Sequence, residues 1–551
     1  MNETNCEINT PKMACGYFSG DTLTIASSGS ITCTAGNITI DLAQNFTSYG
    51  AVTTPAQQTL TIVVSAGTIM NKGALSGGTI LLDAGGSVVV PSGGVVSADA
   101  KGYSENEGPG KGGRVAPNNC YYQYSEAGSG GGGGHGGDGG GACWKSSCVP
   151  SLAAGGVSNG DATWPLSWGS GGGSAVYGRS TKVNTGGSGG GHVRIIAAGS
   201  VTVDGRISAD GGNGNWYNGY SSYDPGGGGG AGGSISVRAL SLSGAGLISA
   251  DGGNPVKLSA GGGAGGRIGI HLFRNASVVD ALPVMNITLQ AYGGWSSAAS
   301  SSCGGGAAGS IFERYGNGTT VLRVNNNASP ASQEAKTPFP LELAGNVSSV
   351  TSKFGPVTWA VFGDKAHMTL RGSVGSGVPF AMWHLSLSAD STITGGKINL
   401  HFFNASIDGD VTASSSHLLL RSNTGEWETV TTREASSFSS RLRLGASSWL
   451  RCSSGLVQVS AQGDLLVYGD ISSSSVLVET TTSLVLHSSS AVTATGGSVV
   501  FGSSGAALWL QGTVTCSGGG CVMSFVVDNL TIASSGSITC TAGTITIDLA
   551  Q

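Results

Sequence analysis

"VTVDGRISADGGNG" (residues 201–214) is the stretch on which the fold turns. It opens with apolar residues at alternate positions, breaks at a glycine, resumes with Ile207, then closes on Ser-Ala-Asp and more glycine. The same order recurs in "VVVPSGGVVSADAKG" (88–102) and "LSLSGAGLISADGGN" (240–254). Short alternating runs of Val, Ile and Leu, bounded by Gly, Ser or Asp, are the signature of strands. Their return in one fixed order predicts stacked repeats, in which each strand pairs with its equivalents above and below.

The pattern runs along the whole chain, through "LTIVV" (60–64), "TILLD" (79–83), "VRIIA" (193–197), "DLLVYGDI" (464–471), "SLVLH" (483–487) and "ALWLQGTVTC" (507–516). No segment of useful length carries a helical period. The predicted class is all-β, a parallel β-helix (β-solenoid) with ordered glycine-rich coils. Tandem β-sandwich domains are the alternative, but no Cys–Trp–Cys frame or 100-residue period supports them. The organisation expected is N-terminal coils over 1–85, a glycine-rich β-helix over 86–322, a β-solenoid continuation over 323–527, and a closing segment over 528–551.

Glycine supplies a second repeat. "GGSGGGHVRII" (186–196), "GGGGAGGSISV" (227–237), "GGGAGGRIGI" (261–270) and "CGGGAAGSIF" (303–312) each run into a strand, with starts about 33–43 residues apart. The longest tract, "GSGGGGGHGGDGGGAC" (128–143), lies upstream. Linkers do not recur in register with strands, and glycine lets backbones approach where no side chain fits. The tracts are therefore expected to be ordered and packed backbone to backbone.

These motifs in this order resemble the glycine-rich right-handed parallel β-helix repeats of very large surface proteins of protists and bacteria, over about residues 86–312. That family usually has Asn in the turn where Asp99, Asp210 and Asp251 stand here. The resemblance implies an extracellular β-helix and brings no catalytic residue with it.

Composition narrows the function. Glycine is 97 of 551 residues, without the every-third-residue period of collagen. Charged residues are 10%, against roughly 25% in ordinary domains. The 39% hydrophobic fraction suffices for a core and argues against disorder. A net charge of −5, without basic clusters, gives no reason to expect nucleic acid. No apolar run reaches the length of a membrane span, and "NETNCEINTPK" after Met1 is not a signal peptide.

Ten N-x-S/T sequons point outside the cell: Asn2, Asn37, Asn45, Asn275, Asn286, Asn317, Asn327, Asn346, Asn404 and Asn529. Covalent N-glycans are expected on several. Eleven cysteines suit that compartment, and the close pairs Cys6/Cys15, Cys143/Cys148 and Cys516/Cys521 are the expected local disulfides.

Catalytic and cofactor motifs are thin. "GPGKGGR" (108–114) lacks the hydroxyl and helix of a P-loop. His135 and Asp138 are too few to hold a metal, and the Asp of the repeated turns (Asp99, Asp210 and Asp251) is more simply a turn former than a calcium ligand. Glu105/Glu107 and Glu426/Glu428 are near pairs without the partners a polysaccharide lyase or hydrolase needs. Neither enzyme, cofactor nor metal is expected. Aromatic residues gather at Tyr121, Tyr122, Tyr124, Trp144, Trp164, Trp168, Trp216, Tyr217, Tyr220 and Tyr223, where they would either meet sugars or a neighbouring subunit, or cover the glycine layers.

One repeat is long-range. "DTLTIASSGSITCTAGNITIDLAQ" (21–44) returns as "DNLTIASSGSITCTAGTITIDLAQ" (528–551), matching at 22 of 24 positions. A chain that ends on strand-forming text without a polar cap invites head-to-tail growth. The expectation is a structural subunit of an extracellular filament or cell-surface fibre that self-associates. The alternative is a surface adhesin or carbohydrate-binding β-helix. At about 4.8 Å and roughly 20–25 residues per coil, one unit would extend on the order of 100 Å.

Overall fold

The computed structural model describes residues 2–8, 11–13, 15–114, 127–142, 152–177, 183–215, 226–255, 259–275, 285–295, 304–326, 337–339, 357–363, 367–370, 380–388, 391–395, 398–413, 417–422, 441–444, 448–452, 456–461, 464–502, 507–517, 521–541 and 543–549. Among them the architecture is all-β, repetitive and mostly parallel, with its strands in four sheets. This is a solenoid-like or tandem-repeat β fold. The chain forms two compact units, Met1–Thr337 and Pro338–Gln551.

In the early strands of the first unit the alternating text buries every second side chain. Thr59–Val64 and Ile69–Asn71 both alternate between buried and half-buried positions. Parallel pairing in one register then stacks equivalent residues into columns. One column runs Ile38, Leu60, Ile80, Val193, Ile235, Ile268, Ile311. A second, in another sheet, runs Ile31, Val52, Leu75, Val96, Ile207, Ile248, Leu289. A one-residue slip would turn each strand inside out, so burial of one face fixes the register.

Between the stacked strands Val95–Ser97 and His192–Ala197 lies a long excursion, and the described glycine tracts lie in it and in the later, shorter ones. They are ordered. Gly227, Gly230 and Gly233 donate their amides to Asn215, Gly212 and Ala209; Gly228 and Ala231 donate to Gly173 and Ser170; Gly229 and Gly232 donate to Gly261 and Ala264. Donors therefore return to the same neighbour at every third residue. The tract 261–266 repeats this pattern toward 130–133, 304–307 and 250–253. Three residues per turn with all bonds going outward is the geometry of an extended polyproline II-type helix. Thus a three-residue period absent from the composition is present in the backbone. A Cβ on Gly228 would overlap the Gly131 carbonyl oxygen, and one on Gly263 that of Gly230.

The stack meets an antiparallel hairpin at Ser310–Arg314 and Thr320–Asn325. There the column Ile40, Ile62, Leu82, Ile195, Val237, Ile270 reaches Glu313, a buried carboxylate.

The second unit repeats the logic without glycine tracts. Leu400, Leu420, Val459, Val478, Phe501, Phe525 and Ile547 form one column, within which the Phe501 and Phe525 rings stack with centroids 5.1 Å apart. Partners such as Leu465 and Leu484, or Val514 and Ile538, are 19 and 24 residues apart.

One expected disulfide is corrected. Cys15 is bonded to Cys33, not to Cys6. The strands Pro11–Met13 and Ser30–Thr32 pair in parallel, so the residue after the second strand comes to rest beside Cys15. Stacking, not separation along the chain, sets which thiols meet. Cys516 and Cys521 are bonded to each other, and Cys143 and Cys148 lie outside the described residues.

Candidate functional site

The repeated Asp of the "SAD" turns does not close its own turn. Asp99 accepts from the Ser208 hydroxyl and the Asp210 amide of the next repeat, both at 2.8 Å. Asp210 accepts in the same way from Ser249 (3.0 Å) and the Asp251 amide (2.7 Å), and Asp251 from the Tyr292 amide (2.7 Å). Beside this ladder Asn213 accepts from the Asn254 amide, and Asn254 from that of Trp295, each at 2.8 Å. The Arg206 guanidinium faces both Asp99 and Asp210.

Stacking like charges costs energy, and the ladder shows it. Burial first, then Asp99, raises Asp210 above the usual carboxylate range. Burial and then Asp210 push Asp251 up to about 7. Ionising Asp251 is therefore harder in the fold than in the unfolded chain. Its stabilising contribution is complete below pH ~4 and is lost as pH rises through about 7. Asp251→Asn keeps the acceptor for Tyr292 and has no charge to lose. The variant is expected to match the parent near pH 4 and to exceed it at pH 8 by on the order of 1–3 kcal/mol; urea unfolding at both pH values measures this.

His135, in the longest glycine tract, is fully buried. Its Nδ1 lies 3.1 Å from Asn159 Oδ1 and its Nε2 3.0 Å from Ser234 Oγ. Burial, then the Arg267 guanidinium, lowers its pKa to about 3. Arg267, also buried, donates to the Asn159 carbonyl (2.9 Å), the Ser310 hydroxyl (3.1 Å) and the His135 carbonyl (3.3 Å). Ser, His and Asn here have the connectivity of a nucleophile, base and orienting group. However, the serine and histidine are both buried, and the Ser234 hydroxyl donates to the Ser167 carbonyl. The arrangement satisfies polar groups inside the glycine layer. Asp138 serves the same end by accepting from the Ser158 amide at 2.8 Å.

Sequence reasoning missed Arg267, Ser234 and Asn159. The signal existed for the first two: His192, Ser234, Arg267 and Ser310 stand in one register, each directly after a glycine tract. A polar residue recurring at that place marks the seam between the stack and the glycine layer.

A segment over 161–168 straps across the outer face of three strands. His271 Nε2 lies 2.8 Å from the Thr163 carbonyl, the Ser236 hydroxyl donates to the Pro165 carbonyl, and Trp168 Nε1 donates to Thr79 (2.9 Å). Gly269 is required beneath it, since a Cβ there would sit 2.6 Å from Pro165 Cδ. Trp164 and Trp168 thus cover the stack, Trp168 also meeting the Tyr103 ring edge-on at 5.5 Å. The other aromatics of these clusters, Tyr121, Tyr122, Tyr124, Trp144, Trp216, Tyr217, Tyr220 and Tyr223, lie outside the described residues.

The amides of "GPGKGGR" are used by the layer: Gly110 donates to Ser170 Oγ and Gly112 to the Gly171 carbonyl. Glu105 accepts from the Gly186 amide at 2.8 Å; Glu426 and Glu428 lie outside the described residues. Among the described residues no three His, Cys, Asp or Glu side chains are grouped to hold a metal ion, and no helix is long and apolar enough to cross a membrane.

The sequon residues Asn37, Asn45, Asn275, Asn286, Asn317 and Asn529 are exposed. Asn37 and Asn45 accept through Oδ1 from the Thr59 and Thr68 amides, at 2.8 and 3.0 Å, an arrangement that leaves the side-chain nitrogen Nδ2 outside these two bonds. Of Asn2 and Asn404 only the backbone is described; Asn327 and Asn346 lie outside the described residues.

The two copies of the 24-residue repeat differ in surroundings. Ile38, Ile40 and Leu42 are 0, 0 and 3% exposed, whereas their counterparts Ile545, Ile547 and Leu549 are 43, 49 and 47% exposed. In the first copy Leu60, Ile62 and Val64 pair over those residues.

No protein-family model, no curated protein and no solved structure matches this chain. A repetitive all-β architecture of this kind is consistent with a structural, adhesive or carbohydrate-binding β-repeat protein in general.

Proposed function

We propose that the chain is a non-catalytic parallel β-solenoid of the extracellular space, acting as a rigid scaffold that is adhesive or binds carbohydrate at a surface. The observation that carries this reading is the in-register stack of parallel strands braced by the glycine layer. Polar side chains in it, including the Asp ladder and the His135 cluster, are occupied in holding repeats together. Sandwich domains pair mainly antiparallel strands, so the parallel register favours the solenoid. Exposed sequons and disulfides support the compartment, and the likeness to glycine-rich β-helix surface proteins points the same way. Two measurements test it. N-glycan mapping is expected to find sugar at exposed sites such as Asn37 and Asn529, and a glycan array to find selective binding. Unmodified sequons in secreted material together with an empty array would contradict the proposal.

A second reading, assembly into a filament, is favoured by one observation. The text of 21–44, whose strand carries a further one through Leu60, Ile62 and Val64, returns at 22 of 24 positions in 528–551. A second copy stacking there would continue the columns. Sedimentation is expected to show concentration-dependent association that Ile545→Lys/Ile547→Lys abolishes. Uniform monomers of the parent chain at all concentrations would dismiss it.

A further inference from the structure

Cys33 and Cys540 occupy equivalent places in the two copies of the repeat, 507 residues apart. Their bonding differs. Cys33 is joined to Cys15, on the repeat below. Cys540 is a half-exposed free thiol. Yet it too has a cysteine directly below it: the strands Thr513–Cys516 and Ser537–Cys540 pair in parallel, with Cys516 opposite Cys540. Cys516 is instead bonded to Cys521, across the short connection to the next strand. Cys521 is close as well, since Cys540 Sγ lies 4.0 Å from its carbonyl oxygen. One thiol and one disulfide thus share a single corner of the second unit.

We propose that this corner is a thiol–disulfide exchange site, in which Cys540 competes with Cys521 for Cys516. The Cys540 thiolate attacks Cys516 Sγ. The Cys516–Cys521 bond breaks, the Cys516–Cys540 bond forms, and Cys521 leaves as a thiolate that takes up the proton Cys540 lost. One disulfide and one thiol stand on each side, so no outside oxidant or reductant enters. The two bonds do different work. Cys516–Cys521 closes a loop within one repeat. Cys516–Cys540 ties neighbouring repeats, as Cys15–Cys33 does in the first copy, and staples residues 528–549 to the stack. The inter-repeat bond therefore cross-links Ser537–Cys540 to the repeat it pairs with, which the local bond does not.

The test is non-reducing peptide mapping of the full chain. The protein is incubated natively at pH 8 without added thiol, then quenched in acid and alkylated after denaturation, so that exchange stops before digestion. Both Cys516–Cys521 and Cys516–Cys540 peptides are expected, each making up at least a tenth of the total. An otherwise identical sample held at pH 4 is expected to keep its starting ratio. In Cys521→Ser the Cys516–Cys540 bond is expected to be the one formed, and limited proteolysis of residues 528–549 to slow at least several-fold relative to Cys540→Ser. A parent chain that yields only Cys516–Cys521 after incubation overturns the proposal. So does a Cys521→Ser chain, folded by circular dichroism, in which Cys516 and Cys540 both remain thiols after mild oxidation.

Discussion

Gly230→Ala is expected to abolish the cooperative unfolding of residues 1–337. The Gly230 amide donates to the Gly212 carbonyl, and its carbonyl accepts from the Gly253 amide. A methyl group there would overlap the Ser188 carbonyl oxygen. The obstacle is backbone, so no rotamer change relieves it. Moving the tract away breaks bonds to several neighbours at once, each leaving a buried amide or carbonyl without a partner. Overpacking alone costs about 1–3 kcal/mol, and each orphaned buried group adds about 1–3 kcal/mol. The sum approaches the whole stability of a typical domain. Gly496→Ala is the control: its added carbon meets nothing within 4 Å, and a change within roughly 1 kcal/mol is expected there. Guanidinium unfolding followed by circular dichroism distinguishes the two.

Glu313→Ala is expected to be nearly as damaging. Glu313 is buried at the hairpin, where Arg323 Nε and the Tyr315 hydroxyl both donate to its carboxylate at 2.7 Å. Burial of the phenol, then the Glu313 carboxylate beside it, raises the Tyr315 pKa, so the hydroxyl keeps its proton as a donor. Removing the acid takes away the buried acceptor to which both the Arg323 guanidinium and the Tyr315 hydroxyl donate. Glu313 is buried and Arg323 a quarter exposed, so the loss is expected to lie between that of an exposed pair and the about 3–5 kcal/mol of a fully buried one. Replacing both charges, as Glu313→Met with Arg323→Met, is expected to recover at least half of that loss. A double-mutant cycle in urea measures the coupling. Equal stability of the parent and Glu313→Ala would show that the hairpin does not depend on the pair.

The strands were legible because their text alternates, and "SLVLH" leaves little choice of face; "SISV" alternates as well, although all four of its residues are buried. Glycine tracts were legible as ordered because they recur beside strands. Their three-residue screw was not, since glycine adopts it without any matching period in the side chains. The correct partner of Cys15 was hidden for another reason. Cys6 is nearer along the chain, but parallel stacking brings together residues a whole repeat apart. The same holds for Asp99, Asp210 and Asp251. At the end of a Ser-Ala-Asp run each reads as a local turn former, yet each accepts from the repeat above. Glu313 could not have been singled out, because its column is apolar up to Ile270 and the change of residue coincides with the hairpin.

Amide hydrogen exchange across residues 130–134, 226–233 and 261–266 of the full chain tests the central claim, that glycine here builds an interior. The amides of these tracts are expected to be protected to the same degree as those of the buried strand Thr79–Ala84, with Gly228, Gly229 and Gly230 all slow although they donate to three different neighbours. Exchange at random-coil rates in the tracts, beside a protected strand, would contradict it.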